Sequence, residues 1–210
     1  QMLKDGNGEE INIQESIRYL KMSADNGNLT SIKAYADILY DGIDVEQNKK
    51  VALTYYKIAA DNGVISAIYA SMLFNGEFID VNKAEAARYF KIGADKGDVK
   101  SMNMYASMLF SGDGIPIDEK EAIRYLKMAI MKNDPKAMNK YAHALQFGEG
   151  VDINLDEAIK YYKLSADMGD ANGAYNYFTL IKNNEIIINE PSEKVFYYKL
   201  AADNGWIEAM

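Results

Sequence analysis

The stretch Tyr19-Leu-Lys-Met-Ser-Ala-Asp-Asn-Gly27 decides the fold, because close copies of it return along the whole chain. The copies span residues 55–63, 89–97, 125–133, 161–169 and 197–205. Successive copies begin 36 residues apart, except that the second and third begin 34 residues apart. A period in this range is typical of stacked supersecondary units, none of which can bury its apolar face alone. The pattern therefore predicts a repeat array, and it favours a binding surface over a catalytic pocket.

Each repeat is predicted to contain two helices, A and B, joined by a short loop. In Ser101-Met-Asn-Met-Tyr-Ala-Ser-Met-Leu-Phe110, apolar residues recur every three or four positions, which marks one face of helix A. Gly112 can end this helix in the left-handed conformation. Asp118 and Glu121 then have the spacing of a capping box that starts helix B. The same spacing occurs at 12/15, 82/85 and 154/157, so the phase of helix B does not depend on hydrophobicity.

We predict one domain over residues 1–210, built from about five complete repeats. Its units are 1–27 (partial), 28–63, 64–97, 98–133, 134–169 and 170–205, with 206–210 as the start of a further unit. Neither end carries the polar capping repeat that such arrays need. We therefore expect either that the native chain is longer or that both ends dock against something.

Composition limits the kinds of partner. A formal net charge of −8 disfavours nucleic acid, because binding to phosphates depends mainly on Lys and Arg. The chain has no Cys, so disulfides and thiolate metal sites are excluded, and a reducing, cytoplasmic location is favoured. Residues 1–6 lack the basic, apolar and small-residue order of a signal peptide, and the sequence has no apolar run of the ~18 residues needed to cross a membrane, so we expect no membrane insertion.

The stretch 137–169 resembles the Sel1-like repeat, a relative of the tetratricopeptide repeat. The resemblance rests on the Gly-Glu-Gly-Val loop at 148–151, the Ala-Ile-Lys-Tyr-Tyr-Lys core at 158–163 and the Ala-Asp-Met-Gly exit at 166–169. It covers almost the whole chain. It implies an all-α, right-handed α/α superhelical solenoid that acts as a non-enzymatic adaptor for other proteins. Cysteine-stapled secreted members are excluded as close relatives, because this chain has no Cys.

In folds of this kind helix A lines the concave side, which implies a groove for a peptide or a partner protein. Two rows of side chains are expected there, two residues before and two residues after the helix A tyrosine. The predicted groove residues are Lys33, Asp37, Asn103, Ser107, Asn139, His143, Tyr175 and Thr179. An asparagine can donate to and accept from a peptide backbone at once, so a ladder of them suits an extended segment or a helix. The loop edge, the convex face and the open ends remain alternative binding surfaces.

No motif indicates an enzyme, a cofactor or a metal site. His143 is the only histidine, and the glycine pairs at 112/114 and 148/150 follow a helix rather than a strand, which indicates a turn. Residues 113–121 lack the alternating oxygen ligands of a calcium loop. Two other functions remain open: a regulatory segment of a longer enzyme, such as a kinase, and a structural subunit of a large assembly.

Two departures from the repeat pattern predict local differences. Asn184 and Ile186 stand where the loop glycines are expected, and Lys194 replaces the helix B alanine, so packing should differ in the last repeat. The step from Gly63 to Tyr69 is two residues shorter than the corresponding step in the next repeat, so that helix A should start late.

Overall fold

The computed structural model describes residues 12–64, 66–183 and 191–203. All regular structure in these ranges is α-helical, which confirms the predicted all-α repeat array. The helices of type B are α1 Ile13–Asp25, α3 Lys49–Asp61, α5 Lys83–Asp95, α7 Glu119–Ile130, α9 Leu155–Asp167 and α11 Pro191–Asp203. Those of type A are α2 Leu29–Asp41, α4 Ser66–Asn75, α6 Val99–Ser111, α8 Pro135–Phe147 and α10 Ala171–Lys182.

The chain divides into two compact units, Gln1–Ser101 and Met102–Met210. In the first unit, α1 packs on α2, α2 on α3, α3 on α4 and α4 on α5. In the second, α7 packs on α8, α8 on α9, α9 on α10 and α10 on α11. Within each unit, the inner helices thus contact a partner in the same repeat and a helix of the adjoining repeat; they are α2, α3 and α4 in the first unit and α8, α9 and α10 in the second. The single domain over 1–210 stays a prediction.

Side-chain caps set the starts of the helices. At the four predicted helix B starts, the cap residue's oxygen accepts from the backbone N–H three residues later; these caps are Asn12, Asn82, Asp118 and Asn154. A capping box also has the acid accept from the backbone N–H of the cap residue, and this half of the prediction is wrong, because the backbone N–H of Asn154 donates to the carbonyl of Leu145 at 2.8 Å. Glu157, for example, accepts from the side-chain amide of Asn154 at 3.2 Å, while Glu121 pairs with Arg124. Asn48 caps α3 in the same way, although no acid follows it.

Left-handed residues end the helices and shape the loops, as the sequence indicates. Gly112 has φ +74°, and Asn133, which replaces a glycine, has φ +58°. α4 has 10 residues whereas α2 and α6 each have 13, which confirms the late start in that repeat. Gly205, Asn184, Ile186 and the side chain of Lys194 lie outside the described residues.

Alanine and tyrosine make the core, as their spacing predicts. Four of the five helix A tyrosines are followed by a fully buried alanine, namely Ala36, Ala70, Ala106 and Ala142, and Tyr177 is followed by the buried Phe178. Each helix A tyrosine meets a helix B tyrosine twenty residues later, edge to face, with ring centroids 4.7 to 5.1 Å apart. Such aromatic pairs contribute about 0.5–1.5 kcal/mol each beyond the area they bury. They tie helix A to helix B within a repeat.

A polar contact joins helix B of one repeat to helix B of the next. The hydroxyl of Tyr55 donates to Asp25 at 2.7 Å, and the hydroxyl of Tyr197 donates to Asp167 at 2.5 Å. The aspartate is the last helical residue of the Ala-Asp-x-Gly exit, so this recurring acid has a structural role. In the repeat that precedes α8 its position is taken by Met131, whose side chain is 78% exposed.

The loop after helix A packs on the start of the preceding helix B. Gly150 has φ +69°, and a Cβ placed there would lie 2.6 Å from the carbonyl carbon of Glu119, the first residue of α7. The corresponding residues in the first unit are Asp44, with φ +59°, and Phe78, with φ +60°. The ring centroid of Phe78 lies 4.2 Å from the ammonium of Lys49, the first residue of α3. The second loop glycine therefore serves repeat stacking, which confirms the interpretation of the Gly-x-Gly pair as a turn.

Candidate functional site

The predicted groove residues of the second unit lie at two registers on α6, α8 and α10. Asn103, Asn139 and Tyr175 share the first register, and Ser107, His143 and Thr179 share the second. Of these six, only His143 is exposed, with 49% of its side chain accessible, and Asn103 is buried, with 8% of its surface accessible. The other four are half-buried. Side chains of both rows are thus accessible to different degrees, with Asn103 the least so.

Side chains one residue before the helix A tyrosine link neighbouring repeats. The Lys140 ammonium donates to the backbone oxygen of Asn103 at 3.0 Å and to Ser107 Oγ at 2.5 Å. The Asn176 amide donates to Asn139 Oδ1 at 2.8 Å. We call these five residues, Asn103, Ser107, Asn139, Lys140 and Asn176, the polar ladder. It spans three helices of type A.

The sequence reasoning missed Lys140 and Asn176. A signal was present, because the same register is apolar in the other repeats, where it holds Ala34, Ile68 and Met104. A change from apolar to polar at one register of a repeat indicates that the side chain has a new partner there. The tertiary structure identifies that partner as the adjoining helix A.

The side-chain amide of Asn103 donates to Asp134 Oδ2 at 2.8 Å. The same oxygen accepts from the backbone N–H of Ala137, which makes Asp134 the N-cap of α8. The amide of Asn103 is therefore used inside the protein, and this residue is less suited to bind a partner than its position in the row suggested.

The hydroxyl groups of the second row bond to their own helices. Ser107 Oγ donates to the backbone oxygen of Asn103 at 3.0 Å, and Thr179 Oγ1 donates to that of Tyr175 at 2.9 Å. Ser71 in the first unit does the same toward Ala67 at 2.7 Å. Because the proton is used in each case, the oxygen is left as an acceptor. The second row accordingly offers acceptors to a partner rather than donors.

His143 forms a small surface cluster with two residues of the same repeat. Its Nδ1 lies 3.1 Å from Glu149 Oε2, and its ring centroid lies 4.5 Å from that of Phe147. Phe147 is 57% exposed. The cluster places an apolar ring beside a polar pair at the end of α8, which suits contact with a partner better than catalysis by a lone histidine.

Lys140 is the charged member of the polar ladder, and its surroundings disfavour the charged form. Its side chain is half-buried, and burial lowers the pKa of the ammonium, with Lys136 acting in the same direction. The charges of Asp134 and Asp170 oppose this shift by favouring the charged form. The protein thus holds a cation where solvation is weak, which costs free energy unless other groups compensate.

In the first unit, the two predicted groove residues bond to each other. Lys33 Nζ lies 2.6 Å from Asp37 Oδ2, and the Tyr56 hydroxyl donates to Asp37 Oδ1 at 2.9 Å. Burial and then this hydrogen bond raise the pKa of Tyr56. The pair is one helical turn apart on α2 and remains partly exposed, so it forms a charged polar patch on that helix.

In the described ranges, no group of three or more His, Cys, Asp or Glu side chains is placed to hold a metal ion. None of the helices described is long and apolar enough to cross a membrane.

Comparison of folds gives several similar solved structures. A protective antigen of uropathogenic Escherichia coli with an SLR fold superposes with a TM-score of 0.84 at 17% identity; the match covers 99% of this chain and 45% of that one. A Sel1 repeat protein from Oxalobacter formigenes gives 0.79 at 21% identity, over 95% of this chain and 85% of that one. An immunity protein from Pseudomonas aeruginosa gives 0.54 at 14% identity, over 89% and 72%. The chain thus spans less than half the length of the E. coli antigen.

No curated protein matches the chain in sequence. A family model described as Sel1 repeat does match, at residues 1–28, 32–64, 67–98, 99–134, 135–170 and 195–206. These segments cover most of the chain and follow the helix pairs of the structure. The chain belongs to the Sel1 repeat family, whose members are generally protein-interaction scaffolds and typically not enzymes.

Proposed function

We propose that the chain is a scaffold that binds an extended segment or a helix of a partner protein along the helix A side of α6, α8 and α10. The observation that carries this proposal is the row of Ser107, His143 and Thr179, in which polar side chains that are at least partly exposed repeat at one register on α6, α8 and α10. The polar ladder lies beside this row and joins the same three helices. A periodic row of this kind matches a partner that is itself periodic, such as a strand or a helix.

The chemistry of the row favours a partner that presents N–H donors. Thr179 offers an oxygen whose own proton is already used, and this oxygen can accept from the backbone or side chains of a partner. Ser107 Oγ already accepts from Lys140, so it has one lone pair left for a partner. Tyr175 and the exposed ring of Phe147 add apolar area at the edges of the row. Aromatic groups beside polar ones are typical of protein interfaces.

A variant with His143→Ala, Tyr175→Ala and Thr179→Ala tests this proposal. These residues are part-exposed, so the fold should survive their replacement. The matched control carries Lys120→Ala, Asp156→Ala and Lys160→Ala, all exposed on α7 and α9. Partners captured from extract of the native cell should be lost by the first variant and retained by the control, with both variants showing wild-type circular dichroism.

The loop edge is the competing surface. Ile117 and Ile153 follow the loop glycines at equivalent positions and are 61% and 69% exposed. A partner that is retained by the helix A variant but lost by Ile117→Ser with Ile153→Ser would contradict the proposal and place binding at that edge.

A further inference from the structure

The Lys140 ammonium has room for one more hydrogen-bond acceptor. It has three N–H donors, and its two hydrogen bonds in the described residues go to uncharged oxygens of Asn103 and Ser107. No ion pair within 4.0 Å is formed by Lys140 in the described part of the chain. A half-buried cation of this kind lacks the counter-ion that usually accompanies a desolvated charge.

The two acidic side chains whose charges favour the charged form of Lys140 accept hydrogen bonds from other groups. Asp134 Oδ2 accepts from Ala137 N at 2.7 Å and from the amide of Asn103 at 2.8 Å. Asp170 Oδ2 accepts from Gly173 N at 2.8 Å and from Ser165 Oγ at 3.3 Å. Each carboxylate caps a helix, so neither can turn toward Lys140 without uncapping α8 or α10. Their field favours the charged lysine but does not replace a contact ion.

Of the five described helices of type A, only α8 has a lysine at this register. The same register holds Ala34, Ile68, Met104 and Asn176 in the other repeats. Lys136, one turn earlier on α8, is exposed and adds positive potential beside it. The chain as a whole has a net charge of −8, which repels a strongly acidic partner at long range. These facts favour one isolated negative group over an acidic run.

We infer that Lys140 binds a single carboxylate of the segment held on helix A, and that this contact fixes the register of the segment. The carboxylate is either an Asp or Glu side chain or the C-terminus of the partner. This inference rests on the proposed function, because the segment must lie on the helix A side of α8. The bound carboxylate completes the donor set of the ammonium and supplies the missing counter-ion.

Two soluble libraries of randomised octapeptides test the inference, one with free C-termini and one with C-terminal amides. Peptides retained by the wild-type protein are identified by mass spectrometry, and their Kd values are measured for the wild type, Lys140→Met, Lys140→Arg and Lys136→Met. Methionine keeps the length of the side chain and removes the charge, and Met104 shows that the register accepts it. Lys136→Met is the matched control for loss of a nearby exposed lysine.

We expect retained peptides to share an acidic residue at one position, or to come only from the free-acid library. Lys140→Met should weaken their binding by about 10-fold or more, since hydrogen bonds to charged groups contribute ~1.5–3 kcal/mol. Lys140→Arg should keep most of the affinity, and Lys136→Met should change it by less than about 3-fold. Retained peptides that lack a shared carboxylate, or that bind Lys140→Met as well as the wild type, would overturn the inference and leave the proposed function standing.

A measurement on the wild-type protein tests the inference without depending on whether the variants fold. The pKa of Lys140, followed by NMR of carbon-13-labelled lysine, should rise when a retained peptide binds, because a carboxylate favours the charged ammonium. An unchanged pKa would refute the contact. If the His143/Tyr175/Thr179 variant retains every peptide that the wild type retains, or if the wild type retains none, the proposed function fails, and the inference fails with it.

Discussion

Replacing Gly150 with alanine should destabilise the second unit by about 2–5 kcal/mol. Two costs add. A residue with a Cβ at φ +69° is held in the left-handed region, which costs about 1–2 kcal/mol. The new Cβ would also lie 2.6 Å from the backbone carbonyl of Glu119, so the loop and the start of α7 must separate by about 0.8 Å to reach the 3.4 Å of an ordinary contact. Forced displacement in a packed region costs about 1–3 kcal/mol.

Gly169→Ala is the matched control for Gly150→Ala. Gly169 has φ +86°, and a Cβ built there would meet no atom within 4 Å, so only the backbone cost of about 1–2 kcal/mol applies. The free energy of unfolding is measured for both variants by urea denaturation followed by far-UV circular dichroism. Comparison of the m-values shows whether the whole array unfolds together. Equal losses in the two variants would refute the close approach of the loop to α7.

Three further predictions concern contacts between or at the ends of helices. Met131→Asp restores the aspartate that ends helix B in the other repeats. It should stabilise the chain by about 0.5–1.5 kcal/mol, because the Tyr161 hydroxyl can donate a hydrogen bond to the new carboxylate. An equal gain in the double variant Met131→Asp/Tyr161→Phe would exclude that bond. Asn154→Ala removes the oxygen that caps α9 and should cost about 0.5–2 kcal/mol by thermal denaturation, whereas Asn154→Asp should cost little. Burial, aided by Asp25, raises the pKa of Tyr55 from 10.0 to about 12. The contribution of Tyr55 to stability is therefore complete below pH 10 and is lost as pH rises through 12. Tyr55→Phe should reduce this alkaline loss of stability and remove one late step from the tyrosinate absorbance titration.

Local signals were enough to place most helices. The caps Asn12, Asn82, Asp118 and Asn154 act through the backbone only three residues away, so their effect can be predicted without knowledge of tertiary structure. The missed cap, Asn48, shows that the cap oxygen is sufficient and that the following acid is dispensable. The late start of α4 was also predictable, because a change in repeat spacing must be taken up outside the packed face.

Contacts between repeats were less accessible to sequence reasoning. The row of groove residues was placed on helix A from the resemblance, and the structure describes all eight of them. Their availability to a partner was not predictable, because it depends on bonds to residues more than thirty positions away. Asn103 bonds Asp134, and Lys140 reaches back to Ser107. Only the stacking of two helices of type A brings these atoms together.

The sequence by itself determined the period, the two-helix unit, the helix boundaries and the tyrosine and alanine core, because each depends on local spacing repeated along the chain. The tertiary structure decided which polar groups of the helix A rows already have hydrogen-bond partners within the protein. It also assigned the recurring aspartate to the tyrosine of the next repeat, and the second loop glycine to the carbonyl of the preceding helix. The physical reason is the same in each case. The backbone conformation of a repeat is determined by residues that are close in sequence, whereas hydrogen bonds and close approaches between repeats depend on how the repeats stack.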